Sequence, residues 1–317
     1  MSASKDNPGT AGRAPSVDTR GDFPTEQPNP ASTELDRRSL ADAFDIVNGE
    51  DATIAEAVAR AKTEIVAAAS LVAERLAAGG RLLYVGAGTS GRLGSLDAVE
   101  CPPTFQTDPT QVQAILAGGE AALVRAVEGA EDDREAGARA VGQREVDERD
   151  VVFGIAAGGT TPFVHGALHE ARARRAATVF FACVSKQQAG DEADVSIRVL
   201  TGPEVLAGST RMKAGTATKL VLNTVSTLAM TRLGKVYGNL MVDVATRGNA
   251  KLWARGVRLV AELTRSAPEA AAELLERAEG QVKPAVVMGR TGLALEASKA
   301  RLEAAAGDLR RALSPPS

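Results

Sequence analysis

Residues 82–106 read LLYVGAGTSGRLGSLDAVECPPTFQ, and this stretch decides both the fold class and the kind of ligand to expect. Leu82 to Val85 is a short apolar run that ends in glycine, which is typical of a buried strand followed by a tight turn. A helix is predicted to begin near Arg92, so the positive end of its dipole and its free N–H groups face the loop. The loop is therefore expected to bind an anion.

The loop also fits the pattern G-x-G-x-x-G, which makes a dinucleotide site the first alternative. A dinucleotide site expects an acidic residue at the end of the next strand, about 20 residues further on. The next strand-like run, Val112 to Ala117, ends instead in two glycines, and Glu120 comes late. Adjacent hydroxyls in the loop suit a terminal phosphate, so a phosphorylated small molecule is favoured. The predicted phosphate-binding residues are Gly88, Thr89, Ser90 and Gly91.

Composition excludes several classes of protein. The 317 residues can form one large core, or one core with an appendage. A formal charge of −3 and an aromatic content of 3% argue against a nucleic-acid surface. Two distant cysteines indicate neither a disulfide framework nor a zinc module, and they fit a reducing cytoplasm. No apolar run approaches the roughly 20 residues that span a bilayer.

The chain divides into three segments by pattern. Residues 1–24 are rich in Ser, Gly, Pro, Asp and Arg and are predicted to be a disordered tail. In residues 25–250, a long helix from Ala52 to Ala78 precedes an alternation of short apolar runs and helices, which predicts a parallel sheet covered on both faces. Residues 251–317 read as short helices separated by proline or glycine, which predicts a small all-helical C-terminal domain.

The predicted strands and helices of the central segment alternate along the chain. The strands are Leu82 to Val85, Val112 to Ala117, Val151 to Ala156, Val179 to Val184 and Val195 to Leu200, and the later helices are Glu120 to Val127, Pro162 to Arg174 and Lys213 to Leu233. The last helix is apolar on most sides, so it is expected to be buried in the core or at a subunit interface.

Three loops combine glycine with hydroxyl side chains. They are residues 88–91, residues 158–161 with Thr160, and residues 208–211 with Ser209 and Thr210. Each alone is ordinary turn chemistry. In an open parallel sheet, however, loops that follow strands share one edge, and together these three could surround one sugar phosphate.

Two carboxylates are candidates for acid and base chemistry. Glu100 is predicted to end the helix that starts at the phosphate loop, because Pro102 and Pro103 follow it. A carboxyl at a helix C-terminus suits a proton donor. Glu131 lies in an acidic stretch where Gly129 is predicted to break a helix, although a hydrated acidic face explains that stretch equally well.

His165 and His169 are the only histidines, and they are spaced as half of a metal site. The zinc-protease signature requires Glu after the first histidine, where Gly166 stands, and no third ligand is evident. We therefore expect an ordinary helical pair and no metal.

Four long motifs resemble the N-acetylmuramic acid 6-phosphate etherase family. They are the phosphate loop with residues 97–105 (DAVECPPTF), residues 126–132 (AVEGAED), residues 208–217 (GSTRMKAGTA) and residues 234–243 (GKVYGNLMVD). The similarity runs from about Thr25 to the C-terminus.

The resemblance implies a sugar isomerase (SIS) domain over residues 25–250, followed by a helical domain, in a cytoplasmic homodimer with active sites at the subunit interface. It implies cleavage of the D-lactyl ether of N-acetylmuramate 6-phosphate, without a cofactor, to N-acetylglucosamine 6-phosphate and D-lactate. Glu100 and Glu131 match the family's catalytic pair. Glu100 would be the proton donor, and Glu131 is the choice for removing the proton at carbon 2.

The second loop departs from the family pattern. Where etherases commonly read A-S-G-R-T-P, residues 157–162 read AGGTTP, which lacks the serine hydroxyl and the arginine. Thr160 is expected to replace the hydroxyl, as in the related glucokinase regulatory protein, and Asn249 and Lys251 fit that relative's sugar-phosphate ligands. Two other functions remain open, namely a non-catalytic sugar-phosphate-binding regulator and an aldose–ketose phosphate isomerase.

Overall fold

The computed structural model describes residues 19–248 and 250–314 and has a five-stranded sheet at its centre. The strands are β1 (Leu82–Gly86), β2 (Val112–Leu116), β3 (Val151–Ile155), β4 (Ala177–Ala182) and β5 (Val195–Arg198). They are all parallel, in the order β2-β1-β3-β4-β5. Because β1 and β3 are buried along their whole length, they consist of almost continuous apolar residues. The predicted parallel sheet is confirmed.

Helices cover both faces of this sheet. Those before and between the strands are α1 (Leu40–Ala52), α2 (Ile54–Arg60), α3 (Lys62–Ala77), α4 (Gly88–Phe105), α5 (Ala121–Val124), α6 (Arg134–Gln143), α7 (Pro162–Ala173) and α8 (Lys213–Arg232). Successive side chains of a strand point to opposite faces. Accordingly Tyr84 packs with α3, α4 and α8, whereas Leu83 and Val85 pack with α6 and α7.

The helical C-terminal region follows a short antiparallel hairpin, β6 (Val236–Tyr237) and β7 (Leu240–Met241). Its helices are α9 (Ala250–Thr264), α10 (Pro268–Arg277), α11 (Val282–Thr291), α12 (Leu295–Ala304) and α13 (Leu309–Leu313). They share a third apolar core, which also buries Val242 and Val244 from the chain after the hairpin. The predicted helical character of this region is confirmed.

Several predicted elements differ from the structure. The long helix over Ala52 to Ala78 is divided into α2 and α3 by Ala61, whose backbone leaves the helical region (φ −93°, ψ 19°). Helix α5 is one short turn, and α1, α6 and the hairpin were not predicted. Residues 19–26 form two short 3₁₀ turns that bury Phe23, so order begins earlier than the predicted residue 25. The rest of the predicted tail, residues 1–18, lies outside the described residues.

Two searches concern the described residues alone. None of their helices combines the length and apolar character needed to span a membrane. None of their His, Cys, Asp and Glu side chains form a group of three or more that could hold a metal ion.

Candidate functional site at the carboxyl edge of the sheet

The phosphate loop lies between β1 and α4, and its glycines are required by close packing. A Cβ on Gly86 would lie 2.7 Å from the backbone nitrogen of Gly91, and a Cβ on Gly91 would lie 2.6 Å from the carbonyl oxygen of Gly86. Gly88 has a positive φ of 52°. Helix α4 begins there, one turn earlier than the predicted Arg92, so Thr89 and Ser90 belong to its first turn.

Helix α4 has no capping side chain at its N-terminus. Its first backbone N–H groups, and the partly exposed hydroxyls of Thr89 and Ser90, have no hydrogen-bond acceptor or donor among the described residues. A helix N-terminus of this kind attracts a phosphate through both its dipole and its donors. The predicted anion site therefore has the geometry it needs.

The second loop follows β3, which pairs with β1 so that Gly86 lies beside Ile155. Both loops therefore leave the same edge of the sheet, side by side. Gly159 has φ +80°, and a Cβ there would lie 2.6 Å from the Cβ of Ala189. Thr160 lies partly exposed just before α7.

The third loop lies close to the first. A Cβ built on Gly215 would lie 3.6 Å from the carbonyl oxygen of Thr210 and 3.6 Å from Cγ2 of Thr89. Thr210 and Thr89 are therefore both near Gly215, in the first turn of α8. Thr210 and its neighbour Ser209 are partly exposed. The structure brings the three predicted loops together.

The N-terminal segment holds the third loop in place, a role that the sequence did not reveal. The backbone N–H of Gly208 donates to the carbonyl oxygen of Thr25 at 3.0 Å, and the Ser32 hydroxyl donates to the carbonyl oxygen of Val205 at 2.8 Å. Farther along, the buried Lys213 ammonium binds the Glu50 carboxylate at 2.5 Å. Residues 25–50 therefore brace this side of the site.

The N-terminus of α8 already carries an anion of its own. The buried Glu204 carboxylate accepts the backbone N–H groups of Lys213 at 2.8 Å and Ala214 at 2.9 Å. Burial raises the pKa of Glu204, and these hydrogen bonds oppose that shift. Glu204 occupies the N-terminus of α8, whereas no side chain caps α4. Of these two helices, only α4 therefore offers a free N-terminus to an anion.

Glu131 lies beside the phosphate loop. A cavity of about 180 Å³ is lined by Ala87, Gly88 and Arg92 on one side and by residues 126–131 on the other. The backbone N–H of Phe163, in the first turn of α7, donates to the carbonyl oxygen of Glu131 at 3.0 Å. Gly129 (φ +72°) lies in a turn after α5 has ended at Val124, so it does not break a helix as predicted. The Glu131 side chain is exposed.

Glu100 lies elsewhere, and the prediction that it ends its helix is wrong. Helix α4 continues through Pro102 and Pro103 to Phe105 and ends at Gln106, which has left-handed backbone angles. The prolines remove two N–H donors, so the helical partners of the Ala98 and Val99 carbonyls are lost, but the helix persists. At 1.5 Å per residue, Glu100 is about 18 Å from Gly88 along the axis.

Glu100 is exposed and does not line the cavity that Glu131 lines. Its neighbour Asp97 is buried and was not singled out in the sequence. The Asp97 carboxylate accepts hydrogen bonds from Tyr84 Oη at 2.8 Å, Asn223 Nδ2 at 2.6 Å and Ser226 Oγ at 3.1 Å. This network fastens α4 to β1 and α8. Burial raises the pKa of the adjacent Cys101 thiol to about 12, and the charges of Asp97 and Glu100 add to the effect.

Of the remaining candidates, those in the described residues do not line the cavity beside Glu131. Lys251 is exposed in the first turn of α9, and Asn249 lies outside the described residues. His165 Nε2 is 2.8 Å from the carbonyl oxygen of Gly159, so this histidine supports the second loop. His169 is exposed.

Comparison with known proteins identifies close relatives. A family model, the glucokinase regulatory protein N-terminal SIS domain, matches residues 64–172. An N-acetylmuramic acid 6-phosphate etherase of Synechocystis sp. is 52% identical over 297 residues, which cover 94% of this chain and 97% of the relative. A protein of the same name from Thermosynechococcus vestitus is 56% identical over 270 residues, which cover 85% of this chain and 87% of the relative.

Among solved structures, a phosphoheptose isomerase from Francisella tularensis has a TM-score of 0.45 and 18% identity to this chain. The similarity covers 63% of this chain and 99% of the isomerase chain.

Proposed function

The chain belongs to the family of N-acetylmuramic acid 6-phosphate etherases, and we propose that Glu131 and Glu100 are the base and the acid with which it cleaves the ether. The protein is an enzyme, a carbon–oxygen lyase. The observation that supports the catalytic proposal is the cavity that joins the N-terminus of α4 to Glu131. The proposed phosphate site and the proposed base thus line the same cavity.

The 6-phosphate binds at the first turn of α4. The backbone N–H groups of residues 88–90 and the hydroxyls of Thr89 and Ser90 donate to its oxygens, while Thr160, Ser209 and Thr210 close around it from the neighbouring loops. With the phosphate held there, carbons 2 and 3 of the sugar lie over residues 126–131.

The reaction begins at carbon 2 of the open-chain sugar, where the adjacent aldehyde makes the proton acidic. Glu131 removes this proton, and the electron pair of the C–H bond forms a double bond between carbons 2 and 3. The bond from carbon 3 to the lactyl oxygen breaks, and the leaving oxygen takes a proton from Glu100. Water then adds across the double bond, with Glu100 as its base, which gives N-acetylglucosamine 6-phosphate and D-lactate.

This division of roles requires two copies of the chain. Glu100 is about 18 Å from its own phosphate loop along α4, which exceeds the length of a sugar phosphate. The Glu100 that serves one site therefore comes from the partner subunit of a homodimer. Each active site then lies at the subunit interface.

The surface around Glu100 fits such an interface. Leu96 and Val99 on the same helix are 49% and 65% exposed, and Val124 on α5 is 88% exposed. A cavity of about 510 Å³ with mostly apolar walls lies between Val99, Pro102 and Leu123. Exposed apolar surface of this extent is typical of a protein–protein contact. The second subunit would cover it.

The reaction belongs in the cytoplasm, in the recycling of cell-wall amino sugars. Both cysteines, Cys101 and Cys183, are buried free thiols, which is usual for a protein of a reducing compartment.

Release of D-lactate from N-acetylmuramate 6-phosphate tests the function. The wild-type protein should release one D-lactate per sugar, and E100Q and E131Q should each lower kcat at least about 100-fold, as for the loss of a general acid or base. E273Q, on the exposed face of α10, is the matched control and should retain full activity. Aldose–ketose conversion without D-lactate would instead identify an isomerase.

Mixed dimers test the shared site. Subunits carrying E100Q are mixed with subunits carrying S90A, after brief unfolding and refolding to exchange them. Half of the dimers then contain one subunit of each variant. In such a mixed dimer, one of the two active sites combines an intact loop from one subunit with an intact Glu100 from the other. Activity should therefore return to about a quarter of wild type. No recovery above the separate variants would contradict catalysis between subunits and leave the function itself untouched.

A further inference from the structure

A second cavity, of about 360 Å³, lies at the opposite end of α4 from the phosphate loop, where α4 and α8 meet the helical C-terminal region. Three lysines line it, namely Lys235 after α8, Lys283 in α11 and Lys299 in α12. Asp243 is the only carboxylate among its lining residues. Its volume is in the range of small-molecule sites.

Positive charge in this cavity exceeds negative charge. The Asp243 carboxylate binds Lys283 Nζ at 2.6 Å and Lys235 Nζ at 3.3 Å, so two ammonium groups share one carboxylate. The Lys283 side chain is only 8% exposed. Lys299, at the rim, binds Glu279 and Glu296, neither of which lines the cavity. Asp308, which caps α13, also favours the charged form of Lys283. The two ammonium groups that share the Asp243 carboxylate repel each other, so an anion bound between them would stabilise this arrangement.

Backbone N–H groups at the start of α11 add to the positive electrostatic potential of this cavity. Helix α11 begins at this cavity, and its N-cap residue Gln281 makes no side-chain cap. The N–H groups of Val282 and Lys283 have no acceptor among the described residues. A helix N-terminus beside two lysines favours a dianion over a monoanion, because both contributions grow with the ligand's charge.

We propose that this cavity is a second anion-binding site, which takes a phosphate or a phosphate monoester between Lys235, Lys283 and the first turn of α11. The assignment gives a role to the segment 234–243, which contributes both Lys235 and Asp243 and which the reaction does not use. Burial lowers the pKa of Lys283 although Asp243 opposes the shift, and a bound dianion would further favour its charged form.

The site is placed to influence catalysis. Gln106, the residue that ends α4, lines the cavity, and its Nε2 donates to the carbonyl oxygen of Val244 at 2.8 Å. Glu100 lies on the same helix. An anion held here would therefore rest against the end of the helix that carries Glu100.

Phosphate binding to the full-length protein tests the proposal, by calorimetric titration at constant ionic strength with chloride as the balancing ion. The background is the T89V/S90A variant, in which the substrate loop lacks its hydroxyls, so that phosphate binding at α4 is weakened and the lysine variants report on the second site. In this background phosphate should still bind and raise the Tm. K283M and K235M should each weaken binding at least about tenfold, as expected for a lost charge-assisted contact. K219M, at an exposed lysine of α8, is the matched control and should not change it.

Several outcomes would decide against the site. No phosphate binding in the T89V/S90A background, or unchanged binding in both lysine variants, would refute it. Equal affinity for acetate would overturn the phosphate class, whereas N-acetylglucosamine 6-phosphate binding better than phosphate would identify a sugar phosphate as the source. K235M, whose lysine is more exposed, preserves the test if K283M fails to fold. Because D-lactate release is measured separately, failure here leaves the etherase activity unaffected.

Discussion

At the scale of single residues, Gly158 is the clearest departure from the family pattern. A Cβ at this glycine would meet no atom within 4 Å, and its φ is not in the left-handed region. The backbone therefore does not require glycine here. The neighbouring Gly159, with φ +80° and Ala189 in its way, does.

Restoring the serine hydroxyl should strengthen substrate binding. We expect G158S to lower KM several-fold with little change in Tm, since one added hydrogen bond to a charged phosphate contributes roughly 1.5 to 3 kcal/mol at best. Steady-state kinetics with N-acetylmuramate 6-phosphate measure it. G158A is the control and should match wild type, and T160A should raise KM. A higher KM in G158S than in G158A would contradict the placement of this loop against the phosphate.

The loop residues could be predicted from the sequence, but the surroundings of Glu100 could not. Glycines beside hydroxyls at a strand end have few structural roles, so residues 86–91 were informative by themselves. Pro102 and Pro103 normally end a helix, and the prediction followed that rule. In the structure, the buried Asp97 network and the Phe105 side chain hold α4 together past both prolines.

At the scale of elements, α6 and α7 pack at unusually short range. A Cβ on Gly137 of α6 would lie 1.9 Å from the Phe163 carbonyl oxygen, and a Cβ on Gly166 of α7 would lie 1.9 Å from the Arg134 carbonyl oxygen. Both obstacles are backbone atoms, which cannot rotate away. Because Glu131 lies just before α6, and its carbonyl oxygen accepts the backbone N–H of Phe163 in α7, this crossing fixes the position of Glu131.

Separating the two helices should disturb catalysis. We expect G137A to destabilise the protein by about 1 to 3 kcal/mol through overpacking, and to lower kcat more than it changes KM. Thermal unfolding and kinetics measure both. G142A, farther along α6, is the control, because its Cβ would meet only the flexible end of Arg174 at 3.4 Å. Equal effects of the two variants would argue against the crossing as the cause.

The loop between β4 and β5 should give the protein an acid-sensitive element. Burial alone would raise the pKa of Asp191, but hydrogen bonds from Ser196, from the backbone N–H of Ala193 and from Arg198 together lower it. A carboxyl with a lowered pKa stabilises the fold above about pH 4 and loses that contribution as pH falls through its folded-state pKa.

Replacing the Asp191 carboxyl should make the free energy of unfolding depend less on pH in the acid range. D191N should lower the free energy of unfolding near pH 7, and the difference from wild type should shrink toward pH 2. Urea unfolding across this range measures it. D45N, at an exposed aspartate of α1, is the comparison, and a constant difference for D191N from pH 7 to pH 2 would contradict the argument.

Elements with strong apolar patterns were predictable, and those without them were not. Strands β1, β3 and β4 are nearly continuous apolar runs, so the parallel sheet could be predicted from their alternation with helices. Helix α6 reads REAGARAVGQ, which contains two glycines and has Val141 as its only large apolar residue, and it is held in place by α7. Only the folded neighbour makes that segment a helix.

At the scale of the whole molecule, the exposed apolar face of α4 should form the subunit contact. Val99 is 65% exposed one residue before Glu100, so a charge there would be buried in the dimer without a partner. We expect V99K to shift the protein toward monomers and to lower activity at least tenfold. Light scattering after gel filtration measures the mass, and circular dichroism checks the fold.

A lysine at Ala270, an exposed position of α10, is the control and should leave both mass and activity unchanged. If V99K remained dimeric and fully active, the subunit contact would have to lie on another face. The sequence indicated the partner through family resemblance alone, because exposure of Leu96 and Val99 becomes visible only when the helix has been placed.

The length of α4 has a kinetic consequence. In the proposed arrangement, with the substrate loop at the start of α4 and Glu100 about 18 Å along it serving the partner's site, an isolated subunit would hold every catalytic group and complete no turnover. In dilute solution, below the dissociation constant of the dimer, the rate then varies with the square of the protein concentration. A cell that makes few copies of this protein would have almost no activity, and a modest rise in expression would switch the reaction on steeply.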